Sequence, residues 1–253
     1  EFGEYEKAVD FMKRSLAMRQ KTIGGEHRNV ALGMSNLAVA YEASGNEAEA
    51  IRLQEFALRM RRKLLGEEHF EVGESLIHLA YLYQIQEQFK KALDACEQAF
   101  SIQKKKLPEG HPLLAASLDL QANLHLVLGS AERAQLLAES ALAMRREVYG
   151  SEHSEIASSL RTLGLIYAKK GKGDKAADLH ERALAMRRTL VGSDSPEALE
   201  SLDDLVVLYE ELGHYKKALP HCIAGVKLSN EHLKDDLAER MSRQDALGRL
   251  YEA

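Results

Sequence analysis

"ASGNEAEAIRLQEFALRMRRKLLGEEHFEVGESLIHLAYLY", which is residues 43–83, contains one turn signal at Gly45 and a second from Gly66 to His69. Before and after the second signal, apolar residues recur three and four positions apart, which is the spacing of one helix face. The same arrangement returns 42 residues later, and again after that. The pattern predicts pairs of helices joined by short turns and repeated along the chain.

Three columns of residues recur with a step of 42. The histidine column is His27, His69, His111 and His153, with Ser195 in the fifth place. The glycine column, which we expect in turns, is Gly3, Gly45, Gly129, Gly171 and Gly213, with Glu87 as its exception. The alanine column is Ala8, Ala50, Ala92, Ala134, Ala176 and Ala218. This self-similarity predicts a stacked array, because one unit alone cannot bury its apolar face.

Each unit is predicted to contain a first helix and a second helix. In a first helix, Leu76, Leu79 and Ala80 follow the i, i+3, i+4 rule. In the second helices, Ala92 and Ala134 are expected to be buried at helix crossings, where a small side chain lets two backbones approach. The predicted helices span 28–43, 47–64, 70–85, 89–106, 112–127, 131–148, 154–169, 173–190 and 196–211.

These columns resemble the tetratricopeptide repeat. The motif Leu163-Gly164-x2-Tyr167 carries the likeness, and "LGEEH" and "YGSEH" before a helix are similar to the 42-residue repeat of kinesin light chains. The resemblance implies an all-α fold, a right-handed α-solenoid of stacked helix hairpins, in a single array over 1–253. Its units would be 1–26 (partial), 27–68, 69–110, 111–152, 153–194, 195–230 and 231–253 (partial). The chain opens at Gly3, midway through a unit, and six periods of 42 make nearly the full length of 253 residues. We therefore expect a fragment of a longer protein.

Composition argues against several other classes of protein. A net charge of -5 disfavours a nucleic-acid duplex as the ligand. No apolar run approaches the roughly 18 residues of a membrane span, and no signal peptide opens the chain. Cys96 and Cys222 match no zinc or redox spacing, which indicates reduced thiols. We therefore expect a cytoplasmic protein that neither binds nucleic acid nor inserts into membranes.

Three patterns could suggest chemistry, and each has a simpler interpretation. Equivalent histidines in stacked units are at least about 8–10 Å apart, too far to share a zinc ion, so we expect them to shape the turns. "GKGDKA", residues 171–176, fits a dinucleotide fingerprint, but a helix and not a strand precedes it. The clusters "MRRK" (60–63), "MRRE" (144–147) and "MRRT" (186–189) are expected to face water at the ends of second helices. No catalytic residue, cofactor or metal is predicted.

The resemblance also implies that the first helices line a concave groove that binds a peptide or helix of a partner protein. The candidate groove residues are Asn36, Val39, Ile77, His78, Tyr81, Leu120, Asn123, Arg161, Thr162, Lys169, Asp203, Asp204, Glu210 and Glu211. Ile77, Tyr81 and Leu120 form an apolar stretch that would hold an apolar anchor of the partner. Asn36 and Asn123 can each bond a donor and an acceptor of an extended backbone.

Charge is distributed unevenly among these positions. The last full unit places five carboxylates on one stripe, Glu200, Asp203, Asp204, Glu210 and Glu211, with only Arg161 and Lys169 expected nearby. Such a stripe would attract a basic flank of the partner, or it is simply a solvated face. The sequence leaves these two interpretations open.

Three functional hypotheses follow. The first is an adaptor or scaffold without catalysis that binds a partner in the groove. The second is a structural spacer or assembly subunit that binds through its ends or outer face. The third is an array that regulates an enzyme domain outside this chain. Association with the cytoskeleton or a motor is implied by the resemblance alone.

Overall fold

The computed structural model describes residues 2–192, 195–232 and 237–252. Within these ranges the chain forms twelve α-helices and no β-strand. The helices are α1 (Phe2–Ile23), α2 (Arg28–Ala43), α3 (Glu47–Leu65), α4 (Phe70–Ile85), α5 (Phe89–Lys106), α6 (Pro112–Val127), α7 (Ala131–Tyr149), α8 (Ser154–Lys169), α9 (Gly173–Val191), α10 (Pro196–Glu211), α11 (Tyr215–His232) and α12 (Leu237–Glu252). The nine predicted helices are confirmed, and α3, α7 and α9 each continue one residue further.

The chain divides into two compact units, Glu1–Ser130 and Ala131–Ala253. In the first unit, α2 packs against α1 and α3, and α4 packs against α3 and α5. In the second unit, α8 packs against α7 and α9, and α10 packs against α9 and α11. First helices (even numbers) and second helices (odd numbers) therefore alternate within each unit, as expected for stacked hairpins.

The turn inside each hairpin uses the glycine column. Gly45 and Gly129 have φ of 74° and 83°, in the left-handed region that glycine adopts without a steric penalty. Glu87 takes the same conformation, with φ of 55°, although it carries a side chain. Gly3 is different, because it lies inside α1, so the expectation of a turn there is wrong.

The histidine column caps the first helices. Nδ1 of His27, His69, His111 and His153 accepts a hydrogen bond from the backbone N–H two residues further on, at 3.0–3.2 Å. In the fifth position the hydroxyl of Ser195 accepts from the N–H of Ala198 at 3.1 Å. Each cap satisfies one of the N–H groups that a helix leaves unpaired at its start. The predicted role at the turns is confirmed.

Small residues allow close contact between the helices of a hairpin. Ala92 and Ala134 are fully buried, as predicted. One such close approach is at Gly164 of α8, where a Cβ atom would lie 2.6 Å from Nε2 of His180 in α9. Glycine is required there because the partner is a whole imidazole ring.

Burial raises the pKa of the Cys96 thiol to about 12, so that free cysteine stays protonated.

A buried arginine near the end of three second helices reaches the following first helix. Nη1 of Arg61, Arg145 and Arg187 donates to the hydroxyl of Ser75, Ser159 and Ser201, at 2.5, 2.5 and 2.8 Å. We call each such contact an arginine–serine joint. The prediction that the "MRR" clusters face water is therefore wrong for the first arginine of each cluster, which is buried.

A fourth joint occupies the same column without an arginine. Between α5 and α6, the hydroxyl of Ser117 donates to Oε1 of Gln103 at 2.6 Å. Where the joint has an arginine, a glutamate also stands near it, as Glu155 does at 2.7 Å from Arg145. At the Gln103 joint this glutamate position is Leu113. Gln103 thus replaces the arginine and Leu113 replaces the glutamate of the charged joints. Because both charges are absent together, no buried charge is left without a partner.

Candidate functional site

In the first unit, α2 and α4 present a polar and apolar surface to the solvent. Asn36 and Val39 lie on α2 and are exposed. On α4, His78 and Tyr81 are exposed and Ile77 is half-buried. The structure thus brings five of the predicted groove residues together on two neighbouring first helices.

A pocket of about 220 Å³ opens between these helices. Val39 and Glu42 line its α2 side, and Ile77, His78 and Tyr81 line its α4 side. One water needs only about 10–15 Å³ of such space, so the pocket has room for a side chain of a partner. Its walls are mainly apolar, with one carboxylate among them.

Gln54, a residue of α3 that sequence analysis did not select, also lines this pocket. It is 1% exposed, and its Nε2 donates to the carbonyl oxygen of Ser75 at 3.4 Å. Its Oε1 is buried and has no hydrogen-bond partner among the described residues. An unpaired buried acceptor at a pocket wall is uncommon, because it costs desolvation without a compensating bond. The only sequence signal was the polar residue at 54, four positions after the alanine column.

The predicted contribution of α6 changes in the structure. Leu120 is only 5% exposed and packs in the core of the first unit with Leu76 and Leu124. It therefore cannot serve as an accessible anchor, and that prediction is wrong. Asn123 remains half-buried and accessible.

In the second unit, Arg161 of α8 and Asp204 of α10 form a bidentate ion pair. Nε of Arg161 donates to Oδ2 of Asp204, and Nη2 donates to Oδ1 at 3.1 Å. Burial acts to lower the pKa of Arg161, but the hydrogen bond and charge of Asp204 raise it overall.

Thr162, beside Arg161, is 8% exposed and does not line a surface, so its predicted groove position is wrong. Lys169, at the end of α8, is exposed.

Beneath this pair lies the ring of His180. Its Nδ1 is 3.7 Å from Oδ2 of Asp204. Burial lowers the pKa of His180; the Asp204 charge opposes this effect, and the charges of Arg161 and Arg187 add to it. The imidazole is therefore held neutral close to a carboxylate that already has an arginine partner.

The stripe of carboxylates on α10 has more arginine partners than the sequence suggested. Asp203 accepts from Arg243 of α12 at 2.7–3.2 Å. Glu210 lies 3.9 Å from Arg249, also of α12. The expectation that only Arg161 and Lys169 lie near the stripe is wrong. The residue that α12 places opposite Asp203 could not be foreseen, because this part of the chain departs from the repeat.

No helix among the described residues is long and apolar enough to cross a bilayer. The described ranges also contain no cluster of three or more His, Cys, Asp or Glu side chains that could hold a metal ion. "GKGDKA" lies at the turn between α8 and α9 and so follows a helix, which is not the setting of a dinucleotide site.

The tetratricopeptide repeat model matches residues 1–63, 33–105, 71–147, 113–189 and 155–221. The chain belongs to the tetratricopeptide repeat family. Proteins built from such stacked units commonly act as scaffolds, because the array offers an extended surface for a partner. No curated protein sequence matches the chain at a significant level.

Three solved structures are similar in fold. The nearly identical TPR-like repeats of a kinesin-light-chain candidate from Podosopora anserina share 27% identity over 82% of this chain and 99% of that chain, with a TM-score of 0.66. BtubC (BKLC) from P. vanneervenii shares 22% identity over 91% of this chain and 90% of that chain, with a TM-score of 0.69. A Rap protein complexed with competence and sporulation factor shares 17% identity over 97% of this chain and 73% of that chain, with a TM-score of 0.68.

Proposed function

We propose that this protein is an adaptor or scaffold that binds an extended or helical segment of a partner protein on its first helices. The observation that carries the proposal is the open pocket between α2 and α4, with Val39 and Tyr81 exposed beside it. Large apolar side chains that stay in water next to a pocket are typical of interaction sites. In this proposal the chain acts by binding and does not itself catalyse a reaction.

The energy of binding would come mainly from apolar contact with Ile77 and Tyr81. A few well-packed aromatic and apolar residues dominate most interfaces, while charged residues at the rim set the on-rate and the register. Asn36, on the same face, would bond the backbone of the partner segment. The Rap protein complexed with competence and sporulation factor is an example of this fold with a bound partner.

The acidic end of the array would contribute less than the sequence suggested. Asp203 and Asp204 hold arginines of the chain itself, which reduces their attraction for a basic flank of the partner. Glu210 is half-buried and lies 3.9 Å from Arg249, so the exposed Glu211 is the better candidate for that contact. We propose, on the likeness to kinesin-light-chain repeats, that the adaptor works in the cytoplasm and serves a motor or the cytoskeleton.

The test is selection of peptides from a phage-displayed library of random 12-residue segments, followed by titration of the selected peptides. Tyr81→Ala is expected to weaken binding at least tenfold, because it removes the exposed ring at the pocket. Phe56→Ala is the matched control, since Phe56 of α3 is 45% exposed, close to the 47% of Tyr81, but lies outside the pocket. Equal losses for both variants, or no selected peptide at all, would contradict the proposal.

A further inference from the structure

We infer that the pocket between α2 and α4 selects a basic side chain, lysine or arginine, of the bound partner segment. This inference rests on the proposed function and adds the chemistry of the residue that enters the pocket. Its basis is the pairing of two hydrogen-bond acceptors, Oε1 of Gln54 and the carboxylate of Glu42, within one mainly apolar pocket.

The orientation of the Gln54 amide follows from its surroundings. Its Nε2 faces the carbonyl oxygen of Ser75, which can only accept a hydrogen bond. Exchanging the nitrogen and oxygen would place two acceptors against each other, so the amide has to leave Oε1 as the group without a partner. The wall of the pocket therefore contains an acceptor that no group among the described residues uses.

Other residues of the same column show that this acceptor is not needed for packing. Sγ of Cys96 lies 3.5 Å from the carbonyl oxygen of Ser117, and Sγ of Cys222 lies 3.8 Å from that of Arg243. A thiol can supply this donor contact without adding a carbonyl group. Gln54 makes the same contact and adds an unpaired carbonyl oxygen in the pocket wall, which this packing contact does not require.

A basic side chain matches both features of the pocket. Its aliphatic stem can lie on Val39 and Ile77, while its charged head donates several hydrogen bonds and has no acceptor. An indole, by contrast, has a single N–H donor and would leave either Gln54 or Glu42 without a bond. An aliphatic side chain would leave both without one, and it would remove water from the half-buried carboxylate of Glu42 without replacing the lost hydrogen bonds.

The experiment uses fluorescein-labelled nonapeptide mixtures whose central residue is lysine, arginine, norleucine, tryptophan or glutamate, with every other position randomised. We expect the lysine and arginine mixtures to bind the full chain at least fivefold more tightly than the norleucine mixture in fluorescence anisotropy. Gln54→Leu and Glu42→Gln should each reduce this preference at least threefold. Melting temperatures would identify any variant that is misfolded, and Gln54→Met then replaces Gln54→Leu.

Glu74→Gln is the control for the loss of one negative charge, because Glu74 lies exposed on α4 outside the pocket lining. The preference for a basic residue should persist in this variant. Equal or tighter binding of the norleucine or tryptophan mixture, or a basic preference that survives in both pocket variants, would overturn the inference and leave the adaptor proposal standing. Failure of every mixture to bind would count against the adaptor proposal itself.

Discussion

Nη1 of Arg187 donates hydrogen bonds to the hydroxyl of Ser201 at 2.8 Å and to the carbonyl oxygen of Glu197 at 2.6 Å, so one buried guanidinium joins α9 to α10. Burial lowers the pKa of Arg187, and the carboxylate of Glu200, 3.6 Å away, works against this effect. The charge is tolerated inside the protein because it has these partners.

Replacing this arginine tests the importance of the joint. Arg187→Met is expected to lower the free energy of unfolding by about 2–4 kcal/mol, because it removes two buried hydrogen bonds that a charged group donates. Arg188→Met, one residue further along α9 and exposed, should change it by less than about 0.5 kcal/mol. Urea titrations of both variants provide the comparison, and equal losses would show that the joint does not stabilise the array.

The alanine column makes a second prediction about stability. Ala92→Leu should cost about 1–3 kcal/mol, because three further carbon atoms must enter a crossing between helices that is already filled. Lys105→Leu, on the exposed side of the same helix, loses only a surface ion pair with Glu68 and should be nearly neutral. Thermal unfolding followed by circular dichroism distinguishes the two. A similar drop in melting temperature for both variants would mean that the column is not at a crossing.

A third prediction concerns the turn where glutamate replaces glycine. Glu87→Gly should raise the free energy of unfolding by up to about 1 kcal/mol, because it removes the steric strain of a residue with a Cβ atom at φ of 55°. The Glu87 side chain is exposed, so little packing is lost with it. Gln86→Gly, whose φ is -84°, relieves nothing and should destabilise slightly. Chemical denaturation of the two single variants gives the answer, and a loss of stability in Glu87→Gly would refute the assignment of strain.

The fourth prediction is a pH dependence that arises from His180. Because burial lowers the pKa of His180 in the folded chain, the unfolded chain binds more protons between the lowered value and about pH 6.5. The contribution of His180 to stability is therefore complete above pH 6.5 and decreases as the pH falls through this window. His180→Gln, which copies the residue at Gln54, should show a smaller loss of melting temperature between pH 7.5 and 5. Parallel curves for the two proteins would contradict the prediction.

Periodicity predicted the helices well because the turns are fixed locally. A capping residue such as His69 and a left-handed residue such as Gly45 determine where a helix begins and where the chain turns, and both are visible as columns. The burial of Ala92 is predictable for the same reason, since the spacing of small residues indicates which face of a helix packs against its neighbours. These signals need no information about the rest of the molecule.

The candidate site was predicted less well, because accessibility depends on what packs next to a residue. Leu120 occupies the same position in the repeat as His78, yet Leu120 is buried and His78 is exposed. The first arginine of each "MRR" cluster turns inward, since its long side chain can reach a serine fourteen residues ahead; the column formed by Arg61, Arg145 and Arg187 was the available signal. Gln54 gave no comparable signal, because an unpaired acceptor is recognisable only from three-dimensional contacts.

The neutral joint between Gln103 and Ser117 has a consequence for how the array responds to ionic strength. In a linear array the free energy of unfolding is a sum of one term for each hairpin and one coupling term for each boundary between neighbours. Salt weakens the boundaries that contain ion pairs, to an extent that depends on their burial, but it has no charge to screen at Gln103. Raising the ionic strength therefore lowers the coupling energy of the boundaries that contain ion pairs, while that of the boundary between α5 and α6 changes less. Cooperative opening in concentrated salt would start at one of the charged boundaries.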